Sequence, residues 1–215
     1  MMSSPMPRTA LASLLALVLV LLAACGAAKP IHYYALEPPS ISASAGNPHP
    51  VVLMVGHFTA PNIYRDTRLI YRSGSNELDI YEQQRWAEPP AEMVKGMLLR
   101  VLRQSGRYRS VHLTGSNVHG DYVLRGRVHR FEEVDAPGLG ARVEIDAELY
   151  DPATGATLWT HHYQQEETAN GNTVPAVVEA INRDAQRGVS EIVASLDQYF
   201  TEHPPAPPAA AKTSP

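Results

Sequence analysis

The chain has 215 residues, enough for one domain and short for two. Hydrophobic residues make up 44% and charged ones 19%, as in ordinary globular proteins; a net charge of −4 without a long basic block argues against a nucleic-acid partner. A single cysteine excludes an internal disulfide, and a domain of this length can bury a core without one.

The N-terminus reads as a targeting segment. Residues 1–8 are short and polar and end in Arg8; residues 10–22 are almost wholly Leu, Val and Ala. That run of about 13 residues is short of the roughly 20 needed to span a bilayer and fits the apolar region of a signal peptide. It closes in Leu22-Ala23-Ala24-Cys25, which resembles the bacterial lipobox. The resemblance implies diacylglyceryl transfer to the Cys25 thiol, cleavage between Ala24 and Cys25, and N-acylation of the new amine, with palmitate as a typical chain. One acyl chain anchors only marginally, whereas two or three hold a protein on a membrane. The rival readings are a signal anchor with an incidental cysteine and ordinary signal cleavage. Gly26, in the place where an aspartate would signal inner-membrane retention, implies sorting to the outer membrane by the habit of Gram-negative lipoproteins.

Residues 25–50 read as the lipidated cysteine, a tether and a leading strand at 31–36, aromatic-rich and bounded by prolines. The continuous apolar run that opens 51–59 predicts a buried strand. Residues 69–73 and 77–81 flank Gly74-Ser75-Asn76 and predict a hairpin. Pro89 and Pro90 open a helix whose face is Met93, Val94, Met97, Leu98, Val101 and Leu102, with Gly106 as its stop. A short strand at 111–113 precedes one at 122–131, with Leu124 and Val128 on one face and Arg125, Arg127 and His129 on the other. Residues 142–150 alternate most cleanly: Val143, Ile145, Ala147 and Leu149 against Arg142, Glu144, Asp146 and Glu148. This predicts one covered and one wet face, with Arg125 and Arg127 on a neighbouring strand opposite the carboxylates. Residues 157–165 return as the hairpin partner. A last helix spans 174–200, capped by Thr173, with Gly188 as a weak point costing about 1 kcal/mol.

The predicted fold is α+β: a largely antiparallel β-sheet with two main helices packed on one face, preceded by a lipoprotein signal peptide at 1–24. The domain occupies 51–202, and residues 203–215 read as a disordered Pro/Ala-rich tail.

No catalytic set emerges. There is no G-x-S-x-G elbow and no phosphate-binding glycine loop. Among nine histidines, His161 and His162 are adjacent on a strand and face opposite sides, so no metal site is expected. An enzyme modifying lipid, or one using a metal, is therefore disfavoured. The segment 64–90 instead concentrates Tyr64, Arg65, Arg68, Tyr71, Arg72, Arg85 and Trp86, residue types enriched at interface hot spots. These seven are the candidate partner-binding residues; the alternative is that Trp86 packs under the helix that follows it.

Arg85-Trp86-Ala87-Glu88-Pro89-Pro90, preceded by Asn76-Glu77-Leu78, resembles the ABC-type transport auxiliary lipoprotein family, whose usual run is R-W-A-E-P-L after an N-E-L hairpin. Tyr33-Tyr34-Ala35-Leu36 is similar to that family's opening Y-Y-x-L. The chain departs from the pattern at Pro90, in place of leucine, and at Asp66-Thr67, where R-P is common. The resemblance, over about residues 31–200, implies a non-catalytic docking component of an intermembrane lipid transport system. Its partners would be a mammalian-cell-entry-type substrate-binding protein and an ABC transporter permease and ATPase. No cofactor is implied beyond the covalent diacylglycerol and N-acyl lipid on Cys25. The same architecture also suits a periplasmic lipoprotein that regulates cell-wall synthases, a reading that leaves the R-W-A-E-P run unexplained.

Overall fold

The longest ladder in the computed structural model joins β6 (Tyr122–Asp135) to β7 (Leu139–Tyr150), antiparallel from Val123↔Tyr150 to Asp135↔Leu139. The structure describes residues 29–41, 46–135 and 138–205. The segment to Ile31 is a separate unit, and the fold below is that of the unit from His32 onward. The expected signal peptide at 1–24, Cys25 and residues 206–215 of the expected tail lie outside the described residues.

On its far side β7 pairs antiparallel with β8 (Thr157–Thr168). The other side of β6 is shared. Its first half lies parallel to β2 (His49–Thr59), which in turn pairs parallel with β5 (Tyr108–Leu113). Its second half lies parallel to β3 (Arg68–Arg72), which forms the antiparallel hairpin with β4 (Leu78–Trp86). The short β1 (His32–Tyr34) closes this branch, parallel to β4. The result is one eight-stranded sheet in which the three antiparallel ladders carry most of the paired residues. The expected α+β fold is therefore present, with four parallel pairings that local sequence pattern does not reveal.

Two helices cover one face. α1 (Pro90–Ser105) packs on β2 and β5, and α2 (Val174–Glu202) packs on β7 and β8. Pro89 and Pro90 need no N–H at the start of α1, and Gly106 ends it at φ 65, a left-handed conformation that costs glycine nothing. Thr173 Oγ1 accepts the Ala176 N–H at the start of α2. Val143, Ile145, Ala147 and Leu149 of β7 point at the helices and are fully or almost fully buried. Among the described residues no helix is long and apolar enough to cross a membrane.

Several strands outrun their sequence signal. β6 continues to Asp135 because a bulge between Val128 and Arg130 resets the alternation, so that Phe131 returns to the core. β4 runs to Trp86 through the polar Glu82-Gln83-Gln84, and β5 begins at Tyr108. Gly188 proves to be a requirement of packing. A Cβ there would lie 2.7 Å from the Tyr163 ring, at the point where α2 crosses β8.

Candidate docking surface

The aromatic and basic segment divides into a buried half and an exposed half. Trp86 is 1% exposed and Tyr64 3%, so neither side chain is available to a partner, which corrects their assignment as contact residues. Trp86 ends β4 on the helix side of the sheet, edge-on to Phe131 at 5.3 Å and to Tyr34 at 6.5 Å. Its backbone N–H donates to the Thr67 carbonyl at 2.6 Å. The alternation of β4 dictates this: Gln84 and Trp86 face inward, and Arg85 between them faces out.

Tyr64 and Arg72 serve a buried carboxylate that no sequence pattern announces. Glu132 on β6 is 0% exposed. The Tyr64 hydroxyl donates to it, and the Arg72 guanidinium binds both its oxygens, at 2.7 Å through Nε and 3.1 Å through Nη2. Arg142 stands 3.8 Å away on β7. Burial, and next the hydrogen bond to Glu132, push the Tyr64 phenol well above its ordinary value. Arg72 is thus committed inside the fold, and a buried charge paired in this way is costly to break.

Arg65, Arg68, Tyr71 and Arg85 remain at the surface. Arg68 and Arg85 are direct neighbours across β3 and β4, an unfavourable pairing of like charges. Asp66 relieves it, 2.8 Å from Arg68 Nε and 4.0 Å from Arg85 Nη1. Its slight burial favours the neutral acid, but hydrogen bonds from the Thr67 N–H and from Arg68 outweigh this and hold the carboxyl below its ordinary value. Arg65 Nε donates to the Ala60 carbonyl. Tyr71 packs at a tilt against Tyr81, ring centroids 4.9 Å apart, and its hydroxyl donates to Asp79 at 2.9 Å.

Tyr33, not among the seven candidates, completes the surface. It is the Cα partner of Arg85 and is 65% exposed, whereas Tyr34 turns inward, with its hydroxyl donating to Gln84 at 2.8 Å. Tyr33, Arg85 and Arg68 therefore stand in one row across β1, β4 and β3, at a sheet edge. The signal for Tyr33 was available in the sequence: adjacent tyrosines on a strand must face opposite sides.

The carboxylates of β7 pair across the uncovered face as their register predicts. Arg125 Nε is 2.5 Å from Glu148 and Arg130 Nε is 3.0 Å from Glu144. Asp146 is held by two histidines, at 2.6 Å from both His129 Nε2 and His162 Nδ1. Burial of Asp146 works against its charge, but the hydrogen bonds from His162 and His129 outweigh it and hold the carboxyl below its ordinary value; the same bond raises His162. His161 faces the other way and stacks on Trp159.

Comparison with known proteins gives this geometry a context. The family model for the ABC-type transport auxiliary lipoprotein component matches residues 34–193. The chain belongs to that family. Its members are auxiliary lipoprotein components of transport systems, and the motifs at Tyr34 and at 85–90 fall inside the match. No curated protein matches the chain. The crystal structure of protein XCC0632 from Xanthomonas campestris, of the family DUF330, is similar with a TM-score of 0.73 and 21% identity, covering 80% of this chain and 98% of that one. A second crystal structure, of an uncharacterised protein, has a TM-score of 0.61 at 14% identity, covering 78% of this chain and 99% of the other. At these identities the likeness concerns the fold.

Proposed function

We propose that this family member is an outer-membrane lipoprotein that docks the periplasmic end of an intermembrane lipid transport system. The system would combine an ABC permease and ATPase with a mammalian-cell-entry-type substrate-binding protein. The chain itself would perform no catalysis. Acyl chains on Cys25 hold the domain at the membrane, and residues 26–30 link anchor to domain. The reading rests on the family match together with the lipobox at Cys25.

Docking falls to the row Tyr33, Arg85 and Arg68, flanked by Arg65. The observation that carries this is an exposed aromatic beside two half-buried arginines at an open sheet edge, where an extended partner segment can add as a strand. Trp86 contributes by fixing that edge from the helix side, against Tyr34 of β1. Two experiments test the reading. Cys25→Ser should leave the chain unprocessed or soluble; persistence in membranes after a carbonate wash contradicts the lipid anchor. Arg68→Ala with Arg85→Ala should weaken partner capture by more than about 1 kcal/mol while leaving the fold intact. Unchanged capture by the folded double variant contradicts this docking surface.

A further inference from the structure

The uncovered face of the sheet holds a concavity of about 600 Å³ between β2, β6, β7 and β8. One row of the register crosses it: Thr59, Arg127, Asp146 and His162 on four adjacent strands. Arg127 faces Asp146 in this row, so an ion pair is expected. The carboxylate is spent elsewhere, one oxygen on His162 and the other on His129. The neighbouring Arg125 is committed as well, to Glu148 and to the face of Tyr150 at 4.3 Å. Arg127 is exposed and makes no ion pair or hydrogen bond among the described residues. Thr59 and His57 of β2 and Thr160 of β8 add uncommitted hydrogen-bonding groups to the same walls.

We infer that this concavity is a binding site for a singly charged phosphodiester, the headgroup linkage of a membrane phospholipid, with Arg127 as its anchor. One uncommitted guanidinium supplies one positive charge, which matches a monoanion better than a phosphate dianion. Its planar fork matches two non-bridging oxygens. The volume lies within the range of small-ligand sites and far exceeds what a lone carboxylate fills. The flanking hydroxyls and His57 meet the ester and headgroup oxygens. The inference draws on the transport reading only for the source of the ligand.

The test uses the purified full chain in a non-ionic detergent. Glycerophosphoglycerol, inorganic phosphate and acetate are titrated separately, and binding is followed by the ring resonances of His57 and His162. Glycerophosphoglycerol should bind tightest. Arg127→Ala should weaken it by about tenfold or more, the weight of a charge-assisted bidentate contact. Arg130→Ala, which removes an arginine already paired with Glu144 on the same face, should change it by less than about twofold. No binding by the unsubstituted chain overturns the site. So does equal binding by a folded Arg127→Ala variant, or phosphate or acetate binding at least as tightly as the diester. None of these results involves the docking edge, so failure here and failure of partner capture are distinguishable.

Discussion

Removing the Arg72 side chain tests the division of the aromatic and basic segment into a structural and a docking half. In Arg72→Ala the fully buried Glu132 loses its bidentate partner and keeps the Tyr64 hydroxyl, with Arg142 3.8 Å away. Breaking a buried pair by deleting one member costs about 3–5 kcal/mol, because the remaining charge stays desolvated. The two surviving partners place this site near the low end, about 3 kcal/mol. For a domain of this size that is a drop of roughly 6–12 °C in Tm. Urea unfolding at neutral pH gives the free energy directly, and Arg72→Met combined with Glu132→Gln should recover most of the loss by removing the orphaned charge. A loss below about 1 kcal/mol in Arg72→Ala, or a double variant no better than the single, would show that Glu132 does not depend on this pair and return Arg72 to the candidate contact residues.

Other substitutions probe the rest of the account. Trp86→Ala should cost about 3–5 kcal/mol in the same assay, as for a large aromatic removed from a packed core. Gly188→Ala should destabilise by about 1–3 kcal/mol despite alanine's better helix propensity, because its methyl meets the Tyr163 ring; Gly96→Ala, with open space at its Cβ on α1, should stabilise by about 0.5–1 kcal/mol. Asp184 on α2 is buried, accepts the Val143 N–H at 3.1 Å and takes the Tyr163 hydroxyl. Burial raises its pKa from 3.8 to about 6 against the pull of those hydrogen bonds. Between these values the folded state holds the proton that the unfolded state releases, so the contribution of Asp184 falls as pH rises from about 4 to about 6. The total is about 3 kcal/mol. The stability of the wild type relative to Asp184→Asn should fall across that window, and a flat difference would contradict the assignment.

Much of the fold was written in local pattern. The alternation of β7 gave both faces of the sheet, and the register it implied places Arg125 opposite Glu148 as expected. The caps of both helices were equally legible, since Pro90, Gly106 and Thr173 act through their own backbone chemistry. What escaped was long-range. Which strand β2 or β3 lies against is decided by the tertiary fold, so the parallel pairings left no trace in sequence periodicity. The bulge at Val128–Arg130 broke the alternation that would have extended β6, and with it any sign that Glu132 and Glu133 are buried.

The candidate site shows a different failure. Tyr, Trp and Arg are enriched at interfaces and also used in cores beneath them, so composition alone could not separate Trp86 from Arg85. Strand parity could, because Arg85 must face away from whatever side Trp86 occupies. The same parity separates Tyr33 from Tyr34 and places an exposed aromatic beside Arg85.

The edge carrying Tyr33, Arg85 and Arg68 is proposed to meet a transport partner. A photo-crosslinking residue in place of Tyr33 in the membrane-anchored protein, with a second at the exposed Gln198 on α2 as control, tests it most directly. Position 33 should capture a mammalian-cell-entry-type protein or an ABC permease, identified by mass spectrometry, and position 198 should not. Capture of cell-wall synthases alone at position 33, or equal capture at both positions, would contradict it.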